Sequence, residues 1–434
     1  MAKPNGSSKV IPTGILLPFI LVTLLFPLWG FANDVTNPMV KAFSRILQMS
    51  NFEGSLVQFA FYGGYFAMAF PAALFIKRYS YKAGILVGLG LYAFGALLFI
   101  PGSKMMVFWP FLVAYFILTC GLSFLETSAN PYILAMGPEE TATQRLNLAQ
   151  SFNPMGSLLG MLVAQQFILA RLDPATAAER GAMGAQELAV LTARDLGVVR
   201  TPYIGIALVL AVVFVTIALT RMPAHGEEER SLNVGPTLRR LARNRRYVEG
   251  VVAQFFYVGA QIMCWTFIIH YGTMELGLTE VQAQGYNMVA MVIFVTSRFI
   301  CTFLLKYVSP GGLLMVLALG GAGLTVGTIL MQGMAGLYCL VGVSACMSLM
   351  FPTIYGIALK GVGEDAKIGA AGLIMAILGG SVMPPLQGAM IDLQTVGIGG
   401  LEFPAVRASF VLPLICFAVI ATYGRRSATS EVLE

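Results

Sequence analysis

The chain has 434 residues, of which 57% are hydrophobic and only 11% are charged, and its mean hydropathy is +0.78. This composition is too apolar for a soluble domain and leaves too little polar sequence for a large domain outside a membrane. The net charge of +6 requires no nucleic-acid partner, because the basic residues fall where a membrane protein carries them. We therefore expect an all-α membrane protein.

Twelve segments are apolar enough, and long enough, to cross about 30 Å of hydrocarbon as helices of about 20 residues. They are predicted near 12–39, 55–76, 84–101, 107–136, 147–170, 202–221, 247–272, 282–306, 312–331, 334–359, 369–390 and 404–423. The predicted domains are an N-terminal six-helix bundle over 1–221, a cytoplasmic linker over 222–246 and a C-terminal six-helix bundle over 247–434.

The lysines and arginines predict the orientation of these spans. If the N-terminus is cytoplasmic, 18 of the 27 basic residues lie on the cytoplasmic side, and half of those on the other side lie in or beside one long outer loop, 172–200. Both termini are then cytoplasmic. The basic run Arg239–Arg246 is interpreted as the inside-positive linker and not as a site for nucleic acid or lipid headgroups.

Internal repetition indicates two related halves. The fourth and tenth spans share the spacing of a serine, a central residue and a proline: Ser123, Glu126 and Pro131 in one, and Ser344, Met347 and Pro352 in the other. The offset is about half the chain. Two six-helix halves with the same direction predict the architecture in which substrate binds near the midplane, between the halves.

Three ionisable residues, Asp34, Glu126 and Arg298, lie inside or at the rim of apolar spans. Each costs about 3 kcal/mol at mid-bilayer, so the default interpretation is a functional site facing water. A carboxyl removed from water holds a proton more readily, and Glu126 has no neighbouring lysine or arginine, which favours it as the proton carrier. Arg298 is the candidate counter-ion, which would make the pair a gate or a latch instead. Asp34 is either a second coupling acid or a helix-end residue.

Polar side chains also recur on single helix faces. In the fourth span Thr119, Ser123, Glu126 and Asn130 share one face. In the seventh span the amides of Gln254 and Gln261 share a face with Trp265. Amides beside an indole suit a sugar, because they bind hydroxyls while the ring covers C–H groups. Hydrogen bonding between helices is the alternative, favoured for isolated Ser and Thr. The candidate sugar contacts are Asn33, Asn37, Asn130, Gln150, Asn153, Gln254, Tyr257, Gln261, Trp265 and Asn287.

Enzyme and metal chemistry are not indicated. The six cysteines show no CxxC pattern, the two histidines are far apart, and the spans contain no nucleophile–base pair. We expect no enzyme activity, no metal and no cofactor beyond a coupling ion, which we expect to be the proton.

Four runs of sequence make the chain recognisable. They are Leu125–Pro131 (LETSANP), Arg145–Asn153 (RLNLAQSFN), Ala253–Gln261 (AQFFYVGAQ) followed by Cys264-Trp265, and Phe351–Ile354 (FPTI). Through them the chain resembles the fucose–proton symporter family of the major facilitator superfamily over nearly its whole length. The resemblance implies a bacterial inner-membrane importer of a hexose or deoxyhexose, best L-fucose, driven by protons and working as a monomer. It also implies that Glu126 is the family's buried acid.

Two departures from the family pattern stand out. The family's first-span acid would align with Asn37, whereas here the acid is Asp34, displaced by about one helical turn and therefore on much the same face. The turn after the second span carries Lys77-Arg78 without an acid. The alternatives are a sodium-coupled or uniport carrier of glucose, galactose or N-acetylglucosamine, an efflux carrier of amphipathic compounds and, least favoured, an intramembrane enzyme or sugar sensor.

Overall fold

The structure is a computed structural model that describes residues 9–48, 51–175, 177–223, 234–393, 395–398 and 401–433. It is helical apart from one short antiparallel hairpin, in which β1 (Thr395–Ile398) pairs with β2 (Leu401–Pro404). The all-α prediction is confirmed.

The first ten α-helices precede the basic linker. They are α1 Leu16–Thr23, α2 Leu25–Ile46, α3 Asn51–Arg78, α4 Tyr81–Leu97, α5 Phe99–Met105, α6 Trp109–Ala135, α7 Ala142–Gln150, α8 Asn153–Val163, α9 Ala177–Gly181 and α10 Ala185–Leu219.

The remaining ten follow in the same order. They are α11 Val234–Arg243, α12 Arg245–Leu276, α13 Glu280–Leu304, α14 Pro310–Leu330, α15 Met334–Met347, α16 Met350–Leu359, α17 Ala366–Met375, α18 Gly379–Ile391, α19 Ala405–Ala408 and α20 Val411–Leu433. Short 3-10 turns lie at Thr13–Ile15, Glu139–Thr141, Leu169–Arg171, Gly363–Asp365 and Ala376–Leu378, and a π-helical turn lies at Ala164–Ile168.

Within the described residues, eleven continuous helical stretches are long and apolar enough to cross a membrane. The fifth predicted span, 147–170, is divided into α7, α8, the π-helical turn and a 3-10 turn, so it is not one of these eleven stretches. The fold is therefore the twelve-span bundle expected from hydropathy. The predicted outer loop at 172–200 differs, because α9 and the first turns of α10 occupy much of it.

The helices form two compact units. The N-terminal unit consists of the described residues of Thr13–Met136 and Phe152–Leu232. The C-terminal unit consists of the described residues of Met1–Pro12, Gly137–Ser151 and Asn233–Glu434. The segment Gly137–Ser151, which carries α7, therefore packs with the later half of the chain, where α7 lies against α13 and α16.

Small residues let helices approach closely inside the N-terminal unit. A Cβ added at Gly156 of α8 would lie 1.9 Å from the carbonyl oxygen of Pro27 on α2, and one at Gly160 would lie 2.7 Å from that of Phe31. This small-xxx-small pair brings the two backbones together, as is typical of helices that associate in a membrane. The contact places α8 beside the acid of α2.

Candidate functional site

Glu126 lies near the middle of α6 and is only 5% exposed. Its Oε1 accepts a hydrogen bond of 2.8 Å from the hydroxyl of Tyr65 on α3. In the described part of the chain no salt bridge reaches this carboxyl. A buried carboxyl with a phenol and no cation beside it is able to change its protonation state without breaking an ion pair.

The two hydroxyls on the same face of α6 bind neighbouring backbone. Ser123 donates to the carbonyl of Tyr65 at 3.1 Å, and Thr119 donates to the carbonyls of Tyr115 and Phe116 in its own helix. Asn130 is fully buried. The hydrogen bond of Ser123 therefore joins α6 to α3.

Asp34 and Asn33 are half-buried on α2. The carboxyl of Asp34 lies near Ser157 of α8, whose hydroxyl donates to the carbonyl of Gly30 at 3.4 Å, and near Tyr62 of α3. The Oδ1 atom of Asn33 has no hydrogen-bond partner among the described residues. Asn153, at the start of α8, is half-buried and donates from Nδ2 to the carbonyl of Phe26 at 3.1 Å. The side chain of Asn37 lies outside the described part of the chain.

Two tyrosines of α3 lie near the two acids. Tyr62 and Tyr65 are three residues apart and therefore on one helix face. Tyr65 donates to Glu126, and Tyr62 lies near enough to Asp34 for the charge of that carboxylate to act on its phenol. Neither phenol was predicted from the sequence, because aromatic residues in a membrane helix normally indicate packing. Their spacing opposite two intramembrane acids was the available signal.

Arg298 of α13 is buried in the C-terminal unit. Its Nη1 donates to the carbonyl of Gln150 at 3.0 Å, its Nε donates to the carbonyl of Ser348, and its guanidinium lies 4.6 Å from the ring centroid of Phe294. Gln150 itself is 5% exposed. These contacts satisfy the guanidinium with main-chain oxygens, and its role as a counter-ion of Glu126 stays a prediction.

Trp265 is half-buried on α12 and is held from two sides. Its indole N–H donates to Ser344 of α15 at 3.2 Å, and its ring meets that of Phe294 edge to face at 4.9 Å. Ser344 is the residue that corresponds to Ser123 in the internal repeat. The sequence predicted this correspondence but not the hydrogen bond between Ser344 and Trp265. Gln261, one turn before Trp265, is also half-buried.

The remaining candidates of the C-terminal unit differ in burial. Tyr257 is fully buried and donates to the carbonyl of Met347 at 3.2 Å. Gln254 is fully buried, and neither its Nε2 nor its Oε1 has a partner among the described residues. Asn287 of α13 is half-buried, and its Oδ1 likewise has no partner in that part of the chain.

Arg145, from one of the recognisable motifs, organises the turn before α7. It is fully buried and donates to the carbonyls of Val10 and Pro138 and to the hydroxyl of Thr141. Burial lowers the pKa of its guanidinium to about 10, so that it stays charged at neutral pH. Its contacts make it a structural residue of this turn.

Two cavities of about 440 and 430 Å³ lie away from these residues. The first is lined by Gly235, Pro236 and three arginines of α11, and the second by residues of α8, α10 and the turns between them. Neither contains a predicted site residue.

Comparisons with known proteins agree with this helical arrangement. Residues 21–385 match the profile of the Major Facilitator Superfamily. The chain is 52% identical over 431 residues to an L-fucose-proton symporter of Haemophilus influenzae, covering 97% of this chain and 99% of that protein. It is 32% identical over 405 residues to a glucose/galactose transporter of Brucella abortus, covering 93% and 92%.

A solved structure of a relative aligns with most of the chain. The crystal structure of the major facilitator superfamily transporter FucP in the outward conformation aligns with a TM-score of 0.87 at 35% identity, covering 95% of this chain and 99% of FucP. Such agreement in sequence and in helix arrangement identifies a multi-pass membrane transporter and not an enzyme. The chain belongs to the major facilitator superfamily and, within it, to the family of the L-fucose–proton symporters.

Proposed function

We propose that this chain imports L-fucose together with protons by alternating access, with Glu126 carrying the proton. The observation that supports the proposal is the environment of the Glu126 carboxyl. This side chain is 5% exposed and accepts a hydrogen bond from the phenol of Tyr65. Ionising such a group in an apolar interior is costly, whereas protonation is readily reversed when the site opens to water. The 52% identical relative that is named an L-fucose-proton symporter supports both the sugar and the ion.

The proposed sugar contacts fall into two classes. Side chains that are half-buried meet the sugar first: Asn33, Asn153, Gln261, Trp265 and Asn287. The buried candidates Asn130, Gln150, Gln254 and Tyr257, together with Asn37, complete the set. Trp265 suits the apolar face of a pyranose, because Ser344 and Phe294 fix the orientation of its ring before the sugar arrives.

Asp34 is proposed as a second coupling acid, since it is half-buried and interacts with Tyr62. Arg298 is proposed to act in gating. We further propose that the protein resides in a bacterial inner membrane with both termini in the cytoplasm and that a single chain is the transport unit. The distribution of Lys and Arg supports that orientation, and the cycle requires no cofactor besides the proton.

Uptake by the purified protein in proteoliposomes tests the proposal. Labelled L-fucose, D-glucose, D-galactose and N-acetylglucosamine would be offered under an imposed proton gradient, an imposed sodium gradient or neither. We expect L-fucose uptake that requires the proton gradient and alkalinises the medium. Uptake of L-fucose driven by sodium, or unaffected by either gradient, would refute proton coupling. The Brucella relative makes preferential uptake of glucose or galactose the principal competing result.

Replacing Glu126 with Gln tests the carrier. The variant should lose sugar-dependent alkalinisation but retain exchange of labelled for unlabelled sugar, because exchange needs no net proton transfer. Glu140→Gln is the matched control, since Glu140 is an exposed glutamate in the turn after the same helix. Undiminished proton uptake in E126Q would remove Glu126 from the carrier role.

A further inference from the structure

The hydroxyl of Tyr65 donates a hydrogen bond of 2.8 Å to the Glu126 carboxyl. Both side chains are buried, with 3% of Tyr65 and 5% of Glu126 exposed. Water therefore does not compete for this hydrogen bond in the structure. Tyr65 lies on α3 and Glu126 on α6, so the bond joins two helices of the N-terminal unit.

Packing between these helices fixes the position of the phenol. A Cβ added at Gly64 would lie 2.0 Å from Oγ1 of Thr119, so only glycine permits this approach. The hydroxyl of Ser123 donates to the carbonyl of Tyr65 itself, at 3.1 Å. The backbone of Tyr65 is thus held against α6 about one turn from Glu126, and its side chain reaches the carboxyl from a fixed base.

A phenol in a fixed position favours the ionised state of the carboxyl over the protonated state. A hydrogen bond donated to an ionised carboxylate is about twice as strong as one between neutral groups. An ordinary tyrosine titrates near pH 10, far above the pH at which a transporter works, so its O–H remains available as a donor throughout a cycle. The phenol therefore stabilises the state that exists after the proton has left.

Other titratable groups adjoin the pair. Tyr62 on α3 and Tyr92 on α4 interact with Tyr65, and Asp34 on α2 interacts with Tyr62. The hydroxyl of Tyr92 donates to the carbonyl of Leu28 and the Lys104 side chain of α5 is exposed, so neither supplies a donor to Glu126. Among the described residues of the N-terminal unit, Tyr65 is the residue that donates a hydrogen bond to the Glu126 carboxyl.

We propose that Tyr65 is a positioning residue of the transport reaction, which sets how readily Glu126 releases its proton after the sugar is carried. This proposal rests on the function assigned above, because it requires Glu126 to be the carrier. Without the phenol, Glu126 should retain its proton to a higher pH, and proton release should slow.

The variant Tyr65→Phe tests the proposal, because it removes one hydroxyl and keeps the ring. Initial rates of labelled L-fucose uptake would be measured in proteoliposomes across a series of pH values, beside sugar exchange at each pH. We expect the uptake profile of Y65F to move upward by about one pH unit, with exchange retained. Tyr79→Phe is the matched control, since Tyr79 is an exposed tyrosine directly after the same helix, and its uptake profile should stay within a few tenths of a unit.

Two further variants keep the outcomes separate. In E126Q the added Y65F change should have no effect on exchange, because the group through which Tyr65 acts is gone. If Y65F proves unstable in detergent, Ser123→Ala loosens the base of the phenol and should shift the profile in the same direction by less. An unmoved or downward-shifted profile in Y65F, or an equal shift in Y79F, overturns this proposal even where E126Q has lost proton coupling. Coupling that survives in E126Q overturns the carrier function itself.

Discussion

The guanidinium of Arg298 bonds the main-chain carbonyl of Gln150, and the residue four positions after Gln150 is Pro154. Proline has no N–H, so the helix cannot supply the usual donor to this carbonyl. The second carbonyl bound by Arg298, that of Ser348, stands in the same relation to Pro352. One arginine therefore satisfies two carbonyls that prolines leave without a helical donor. These are the points where the fifth and tenth spans break, between α7 and α8 and between α15 and α16.

Replacing Arg298 with Lys should therefore impair transport although the charge is kept. The planar guanidinium of arginine can donate to two carbonyls at fixed positions, whereas the ammonium of lysine is a compact charge at the end of a flexible side chain. A polar group left without a partner in a membrane interior costs several kcal/mol, so we expect at least a tenfold fall in uptake rate. Initial rates of uptake and of exchange would be compared with those of Arg243→Lys, an exposed arginine of α11. Rates within twofold of the unmodified protein would show that the two carbonyls do not require a guanidinium donor.

Replacing Gln254 with Met should separate stability from function. Both polar atoms of this amide are buried without a partner in the described residues, which costs about 1–3 kcal/mol, and Met fills a similar volume. The melting temperature in detergent should rise, while sugar affinity should fall if Gln254 binds a hydroxyl when the site closes. Gln261→Met is the contrast, because Gln261 is half-buried and its replacement should bring no gain in stability. A lower melting temperature for Q254M would mean that the amide is satisfied in the protein.

Replacing Gly156 with Ala should loosen the contact between α2 and α8. The added methyl would lie 1.9 Å from the carbonyl oxygen of Pro27, so the helices must separate, at a cost of about 1–3 kcal/mol. Thermal unfolding in detergent would measure the loss. Gly205→Ala in α10 meets no atom within 4 Å and should be neutral or stabilising by about 0.5–1 kcal/mol. Equal melting temperatures for the two variants would contradict the packing argument.

The sequence was sufficient for the spans and for the buried acid, and the reason is the membrane itself. A stretch of about 20 apolar residues has few structures open to it in lipid, since every backbone polar group must be bonded internally. Hydropathy alone therefore located α6 and placed Glu126 near its middle. Hydropathy did not reveal that the span 147–170 is divided at Asn153-Pro154, or that polar residues within 172–200 form the first turns of α10.

The partners of those residues were decided only by tertiary structure. Tyr65 lies 61 residues from Glu126, and Gln150 lies 148 residues from Arg298, so no helical period relates either pair. Which phenol reaches the acid depends on the close approach that Gly64 allows, and which carbonyls reach the guanidinium depends on the packing of α7 against α13. Sequence alone determined which polar groups enter the membrane, because a run of about 20 apolar residues is enough to define a membrane span. Their hydrogen bonds came from packing between distant helices, because a hydrogen bond requires two groups within about 3 Å of each other.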